Sequence, residues 1–473
     1  MAINKNPASF RDPDSTVYQD GNQVFRCISN SYKNDYDYFL SCGLKDTLIC
    51  KKMLIEHQEI EVQNKYFDDA YKILSAKKIP FISYPYEWSF SQLKDAALLT
   101  LDIQTKALNK DMSLKDASAF NVQFMEGKPI FIDTASFEKY EEGSPWVAYK
   151  QFCQHFLAPL ALVALVDTRL GFYSKINLDG IPLELASKLL PITSYFKYGL
   201  LAHIHLHAKF QLRYSDSNHQ LDTNRKRQAI SKSNLLALIE SLKNTVISLN
   251  WHSKGTEWGN YYNETNYDEV AMNHKMEMVN EYLSQIKPNT VWDFGANNGK
   301  FSKLAEALGA GTVSYDIDPL AVEYNYLQIK SELTAAVKRL PLIMDLVNPS
   351  ASLGWSLNER MSLTDRGPVD CVMALALIHH LAISNNVPLQ ELADFFSKVS
   401  NSLIIEFVPK SDSQVKRLLK SRVDIFNQYT EIDFENIFKS KFKIIKKMQI
   451  KESTRTIYLM TTIKLNHNEN IPP

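Results

Sequence analysis

Four residues whose types suit a small-molecule site alternate in one short stretch: Asp293, Gly295, Asn297 and Gly299. Glycines permit a tight turn and a close approach of the backbone to a ligand. The acidic residue ahead of them suits a ligand that carries an amine and no phosphate. The spacing differs from G-x-G-x-x-G, so a dinucleotide is not the ligand that this turn predicts.

A strand and a helix must hold this turn in place. Val291, Trp292 and Phe294 surround the acid as in the end of a buried strand, and from Phe301 apolar residues recur at helical spacing. A strand–turn–helix unit directs backbone N–H groups and a helix N-terminus at a nucleotide-like ligand. The stretch therefore predicts one wall of a ligand site.

The next two predicted strands also end in acids. Gly311–Asp318 ends with Asp316 and Asp318, and Leu340–Leu346 carries Asp345. A carboxylate at the tip of the second strand can accept both hydroxyls of a ribose, which favours Asp316 as a ligand. The alternative is capping of the helix that opens at Pro319, and it is favoured for Asp318. For Asp345 the alternatives are a ligand contact and a turn or capping role.

Strand and helix patterns alternate five times in the second half of the chain. The run Val369–Leu377 is almost continuously apolar, as expected for a parallel strand covered on both faces. The helix Leu389–Val399 and the strand Ser402–Val408 follow, and the strands Phe442–Ile450 and Thr454–Ile463 form a terminal hairpin. This order predicts an α/β, doubly wound sheet of seven strands with its ligand crevice at the strand carboxyl ends.

With these motifs in this order, residues 268–465 resemble the class I S-adenosylmethionine-dependent methyltransferases. Asn297 stands where that family usually has glycine, a mild departure because Asn tolerates left-handed backbone angles. The resemblance implies a Rossmann-like sheet, S-adenosyl-L-methionine as cofactor and Asp345 beside the adenine amine. It implies a cofactor site built from residues at three strand ends: Asp293, Gly295, Asn297, Gly299, Asp316 and Asp345.

Candidate catalytic residues follow the fourth strand. His379 and His380 stand where this fold presents residues to a substrate, and either can take a proton from a hydroxyl acceptor, with His380 preferred. The alternative for both is to hold a loop or to pack on the cofactor. Glu406 and Lys410, at the end of the fifth strand, are further candidates.

The first half, residues 1–213, is predicted to be a separate α+β domain. Thr16–Ile28 has the pattern of a hairpin, and Tyr32–Lys52 that of a helix. Pro80–Phe90 is predicted to be a strand with an aromatic loop, followed by a helix from Ser91 to about Leu108.

Asp116, Asn121 and Asp133 give this half a second candidate site. Their spacing resembles the catalytic and metal-binding loops of protein-kinase-like and aminoglycoside-phosphotransferase-like folds, which implies Asp116 as base and the other two as magnesium ligands. The sequence departs from that pattern, since no His-Arg precedes Asp116 and Thr-Ala follows Asp133. A degenerate domain, or turn and cap roles for these residues, are the alternatives.

Residues 214–267 are predicted to be a linker and an aromatic lid. Their first part is polar and charged, and their last part is dense in aromatic and polar groups without core periodicity. Tyr261, Tyr262 and Tyr267 are candidates for folding over a cofactor or substrate, since aromatic rings attract a sulfonium cation. Ordinary packing is the alternative.

Composition does not favour a nucleic acid or a membrane as partner, and a local basic patch is the alternative that it leaves open. The chain has 53 Lys plus Arg residues and 53 Asp plus Glu residues. It therefore lacks the excess of basic residues that would indicate binding to a nucleic acid or an anionic membrane. The apolar run Phe156–Val166 is too short for a membrane span. His203, His205 and His207 alternate and do not converge on a metal if helical, so no metal site is predicted. Unpaired cysteine spacing and a polar N-terminus predict a cytoplasmic protein.

Most of the chain is also similar to a family of bacterial two-part proteins related to the nodulation protein NoeA. The similarity lies in Ser83–Phe90, Asn121–Phe137, Trp146–Pro159, Ala374–Pro388 and Ile404–Pro409. The sequence thus predicts an S-adenosylmethionine-dependent methyltransferase acting on an unidentified acceptor, for which a small molecule or a carbohydrate is considered. The alternatives are a non-catalytic binding or scaffold protein with two degenerate domains, and a bifunctional enzyme with phosphotransfer in its first half.

Overall fold

The chain folds into two compact units. The computed structural model describes residues 3–61, 70–209, 229–252, 269–332, 337–420 and 422–463. Unit 1 takes Met1–Ser253 and Leu353–Arg360, and unit 2 takes Lys254–Ser352 and Met361–Pro473. A short segment from the second half of the sequence therefore belongs to the first unit.

Two of the predicted features fall partly or wholly outside this description. Of the predicted linker and lid, residues 214–267, the structure describes only residues 229–252, and Tyr261, Tyr262 and Tyr267 lie outside the described residues. Within the described part of the chain, every helix is too short or too polar to cross a lipid bilayer.

Unit 1 begins with a five-stranded antiparallel sheet in the order β1-β2-β3-β5-β4. Its strands are β1 Asn4–Lys5, β2 Ser15–Asp20, β3 Gln23–Ser29, β4 His57–Ile60 and β5 Ala70–Ala76. The predicted hairpin is confirmed, because β2 and β3 pair directly and Gly21 in the turn has a φ of +55°.

The rest of unit 1 is mainly helical. Two small antiparallel pairs interrupt it: β6 Met112–Leu114 with β9 Phe137–Lys139, and β7 Val122–Met125 with β8 Lys128–Phe131. Its α-helices are Lys33–Ser41, Leu44–Cys50, Phe90–Leu108, Tyr149–Phe152, Ala158–Leu165, Tyr173–Ile176, Leu183–Leu189, Tyr198–Leu200 and Lys232–Ser248. The α+β prediction for this half is confirmed.

Two local predictions for unit 1 were wrong. The helix expected over Tyr32–Lys52 is two helices, because the chain turns at Gly43 with a φ of +72°. No strand forms in the segment from Pro80, which instead contains the 3-10 turn Pro85–Glu87. The side chain of Gln123 replaces the strand partner, since its Oε1 accepts from Ser83 N at 3.0 Å and its Nε2 donates to Ser83 O at 3.0 Å.

The segment Leu353–Arg360 forms a short hairpin on unit 1. Its two end residues exchange backbone hydrogen bonds of 3.1 Å. Glu359 is 6% exposed and pairs with Arg11, whose Nη2 lies 2.7 Å from a carboxylate oxygen. The Arg360 guanidinium stacks 3.9 Å from the ring centroid of Phe120. An ion pair and a cation–π contact therefore fix the hairpin to this unit.

Unit 2 contains a seven-stranded sheet in the order β12-β11-β10-β13-β14-β16-β15. Its strands are β10 Thr290–Phe294, β11 Gly311–Asp316, β12 Arg339–Ile343, β13 Val369–Ala374, β14 Ser400–Phe407, β15 Phe442–Gln449 and β16 Thr456–Thr462. The first five positions are parallel, and β16 is antiparallel to both of its neighbours. The doubly wound sheet and the terminal hairpin are confirmed.

Helices accompany this sheet in the expected alternation. They are Glu269–Ile286, Ser302–Ala307, Pro319–Ser331, Leu389–Val399, Ser413–Leu419 and Glu431–Phe438. After β10 the chain moves outward to β11 and β12, and then returns to place β13 on the other side of β10. Strand order reverses there, and such a reversal opens a crevice at the strand carboxyl ends.

Candidate functional site

The glycine turn leaves β10 in the conformation that its residue types require. Gly295, Asn297 and Gly299 have φ values of +74°, +50° and +80°, so Asn297 adopts the left-handed angles expected of it. The turn is tied to the neighbouring strand, because Gly295 N and Ala296 N both donate to Tyr315 O at 2.9 Å. These two hydrogen bonds to β11 therefore fix the backbone of the turn at the end of β10.

Asp293, the next-to-last residue of β10, lies in a buried polar cluster. Its carboxylate accepts from Ser302 Oγ at 2.6 Å, and Ser314 Oγ donates to that hydroxyl at 2.7 Å. Burial, which is the largest cause, and the nearby charge of Asp316 together raise the pKa of Asp293 to about 7. Neither serine was predicted from the sequence, although a serine in the first turn of the following helix is a recognisable signal.

Asp316 at the end of β11 holds two turns at once. One carboxylate oxygen accepts from Asn297 N at 2.8 Å and the other from Asp318 N at 2.9 Å. Burial raises its pKa to about 6. Asp318 has the capping role, because its side chain accepts from Leu320 N at 2.8 Å. Asp318 therefore makes the capping contact that was favoured for it, and the ligand role of Asp316 stays a prediction.

A cavity of about 330 Å³ joins these groups within unit 2. Its size lies in the range of small-molecule sites. Among its lining residues are six from the predicted set: Asp293, Gly295, Asn297, Asp316, Asp345 and His380. Apolar side chains complete much of the wall, including Phe301, Met344, Leu375 and Leu377. Asp345 follows β12, where its carboxylate accepts from Val347 N at 2.8 Å.

Gly299 has a packing role beside the cavity. A Cβ built on it would lie 2.6 to 2.8 Å from side-chain atoms of Asn325, which is 1% exposed. Only glycine therefore fits between the turn and the helix Pro319–Ser331.

The two histidines after β13 occupy different environments. His380 lines the cavity, whereas His379 is not among the lining residues and is 2% exposed. Their ring centroids are 4.1 Å apart. Burial lowers the pKa of His380 to about 4 and that of His379 well below its usual value, so both rings are neutral near pH 7.

A buried charge network lies beside the cavity and was missed from the sequence. Lys275 Nζ lies 2.6 Å from Glu406 Oε2, and Arg455 Nη1 lies 3.5 Å from Glu406 Oε1. The same arginine donates to both oxygens of Asp412, at 2.8 and 3.1 Å. Of the further catalytic candidates, Glu406 therefore belongs to this network, and Lys410 forms an ion pair of 2.7 Å with Asp424.

The second candidate site, in unit 1, has its acids engaged by the protein. Asp133 Oδ1 lies 2.5 Å from Arg26 Nη1, and its other oxygen accepts from Ser136 Oγ. Asn121 donates to Ser136 Oγ at 3.3 Å. Burial and the charge of Asp133 raise the pKa of Asp116. A guanidinium thus neutralises the carboxylate that the kinase-like resemblance assigns to magnesium.

The alternating histidines of unit 1 have structural partners. His203 bonds to Tyr149 Oη at 2.8 Å and Ser241 Oγ at 3.0 Å, and His205 bonds to Ser187 Oγ at 2.7 Å and Ser194 Oγ at 2.8 Å. The described residues contain no group of three or more His, Cys, Asp or Glu side chains placed to hold a metal ion.

Comparison with known proteins finds a relative that is similar over most of the chain. It is 34% identical over 455 residues to the nodulation protein NoeA of Rhizobium meliloti (strain 1021), covering 95% of this chain and 94% of that protein. No protein-family profile matches. Among solved structures, magnesium protoporphyrin IX methyltransferase from Synechocystis PCC 6803 is 20% identical over 44% of this chain and 93% of that chain (TM-score 0.31). N-methyltransferase NodS from Bradyrhizobium japonicum WM9 is 9% identical over 44% and 98% (TM-score 0.32).

Proposed function

The chain belongs to the family of the nodulation protein NoeA, and we propose that it is an S-adenosylmethionine-dependent methyltransferase whose acceptor is a small molecule or a carbohydrate-type compound. The observation that carries this proposal is the convergence of Asp293, Asp316 and Asp345, from the ends of three adjacent strands, on one cavity beside a glycine turn. Three acids, with no phosphate-binding glycine motif beside them, suit a ligand that contains adenosine and an amine and that lacks phosphate.

Each acid has a distinct part in binding. Asp316 accepts the ribose hydroxyls, because each of its oxygens uses one lone pair on a backbone N–H and retains another. Asp345 lies at the end of the next strand, where it accepts from the adenine amine. Asp293 and the glycine turn face the amine of the methionine portion. The bound cofactor supplies an electrophilic methyl group.

The remaining lining residues suit the handling of an acceptor. Apolar side chains line much of the cavity, so a bound acceptor displaces water there and polar contacts inside it are strengthened. His380 is neutral near pH 7 and can accept a proton or hydrogen bond from the acceptor. Positioning of the acceptor in line with the methyl group supplies much of the rate.

Calorimetric titration with S-adenosylmethionine and with S-adenosylhomocysteine tests this function. We expect saturable one-to-one binding of both, and loss of binding in Asp316→Ala. Release of S-adenosylhomocysteine in the presence of candidate acceptors then distinguishes an enzyme from a cofactor-binding scaffold. Wild-type protein that binds neither nucleoside would contradict the proposal.

A further inference from the structure

One end of the cavity carries a cation that the adenosine contacts do not use. Lys275 lies on the helix Glu269–Ile286, is 2% exposed and lines the cavity. Its Nζ lies 5.0 Å from the ring centroid of Phe301. Among the described residues that line the cavity, it is the only lysine or arginine. An anionic group bound there has one cationic side chain to meet.

This lysine is held firmly in place. Glu406 Oε2, 2.6 Å from its Nζ, also accepts from Ala376 N at 2.9 Å. Arg455 approaches the second oxygen of Glu406 and is itself held by Asp412. Glu406 Oε2 thus bonds both the lysine ammonium and a backbone N–H, which fixes the position of Lys275 Nζ. Such fixed supports are typical of groups that orient a ligand.

The position of Lys275 matches one part of the proposed cofactor. Asp316 and Asp345 lie at the ends of β11 and β12, on one side of β10, and they take the adenosine. Glu406 lies on β14, on the opposite side of β10, and Lys275 is bonded to it. With the adenosine assigned to Asp316 and Asp345 by the proposed function, the lining residues Leu375–Leu377 and Lys275 are left for the methionine portion, which carries an α-amine and an α-carboxylate. Asp293 suits the amine and repels the carboxylate.

We propose that Lys275 binds the α-carboxylate of the cofactor, with Glu406 and Arg455 as positioning residues, and that it selects S-adenosylmethionine over analogues without the carboxylate. This inference rests on the proposed function. A buried lysine ammonium that meets a carboxylate forms a charge-assisted hydrogen bond, which is among the stronger polar contacts in proteins. The site thereby requires an amino-acid tail as well as an adenosine.

A paired titration tests the inference. Wild-type protein and Lys275→Met are each titrated with S-adenosylmethionine and with its decarboxylated form, which lacks only the carboxylate. We expect the wild type to prefer S-adenosylmethionine about 10- to 100-fold. We expect Lys275→Met to lose that preference because its affinity for S-adenosylmethionine falls, while its affinity for the decarboxylated form is unchanged. Lys303→Met is the matched control, because Lys303 pairs with Glu332 at 2.9 Å and does not line the cavity.

Each outcome decides the point. If Lys275→Met weakens both ligands equally, or if the wild type binds both equally well, Lys275 does not recognise the carboxylate. A wild type that binds neither ligand contradicts the proposed function and the inference with it, and so differs from the preceding results. If Lys275→Met does not fold, Lys275→Met with Glu406→Gln removes both charges of the pair, and the same loss of preference is expected of it.

Discussion

Two glycines of unit 2 allow the packing of the glycine turn to be measured. Gly299 and Gly309 have φ values of +80° and +96°, so alanine at either position strains the backbone. Alanine at Gly299 also places a methyl group 2.6 Å from Asn325 Nδ2 in a fully buried space, whereas no atom lies within 4 Å of a Cβ at Gly309. The pair therefore differs in crowding and shares the backbone strain.

The expected magnitudes follow from these two contributions. A left-handed alanine costs about 1–2 kcal/mol, and overpacking a rigid core costs a further amount of about 1–3 kcal/mol. We expect Gly309→Ala to lower the free energy of unfolding by about 1–2 kcal/mol and Gly299→Ala by about 2–5 kcal/mol. Urea unfolding of both variants beside the wild type measures the difference.

Cofactor titration adds a second comparison. Gly299→Ala displaces the turn that presents Asn297, so we expect its affinity for S-adenosylmethionine to fall at least tenfold, while Gly309→Ala binds as the wild type does. Equal destabilisation of the two variants, or unchanged binding by Gly299→Ala, would refute the close contact between the turn and Asn325.

Three further predictions use other parts of the chain. Asp316→Asn should lower the affinity for S-adenosylmethionine about 10- to 100-fold in calorimetry, since an acceptor oxygen is replaced by a donor. Asp318→Asn should keep the wild-type affinity, since Asn caps a helix as well as Asp, and equal losses of affinity in the two variants would contradict this prediction. Burial lowers the pKa of His203 from about 6.5 in the unfolded chain to about 4 in the folded chain, so the free energy of unfolding should fall by about 3 kcal/mol as the pH falls through that window. Urea titrations of His203→Gln should show a shallower pH dependence of stability than the wild type, and an equal pH dependence would contradict this prediction. Calorimetry with magnesium and ATP should show no binding, because the Asp133 carboxylate is already paired with Arg26. Saturable binding of ATP that is abolished by Asp133→Ala would instead support phosphotransfer.

The strand ends could be predicted because their signals are local. Asp293, Asp316 and Asp345 each follow a short apolar run, and a turn or a helix start follows each of them. Parallel strands of one sheet bring such ends to one edge, so the sequence alone could bring the three acids and the glycine turn together. Asp318 could be separated from Asp316 because capping is also decided by neighbouring residues.

The rest of the site depends on distant contacts. Lys275 is one polar residue in an amphipathic helix, and its partner Glu406 lies 131 residues further along the chain. Periodicity assigns neither of them to a buried pair. His379 and His380 are adjacent in sequence, so only the folded chain shows which one lines the cavity. The prediction of a strand near Pro80 was wrong for a similar reason, since the side chain of Gln123 in β7 bonds the backbone where a neighbouring strand would have done so.

The hairpin Leu353–Arg360 bears on whether the two halves can be separated. A fragment that ends at residue 253 keeps Arg11 and Phe120 but loses the carboxylate and guanidinium that meet them, while the complementary fragment carries both groups away from their partners. A single cut there therefore leaves unit 1 without this hairpin, and recombination at that boundary would do the same. The two halves are expected to be inherited together, in agreement with a similarity to NoeA that runs through 95% of the chain.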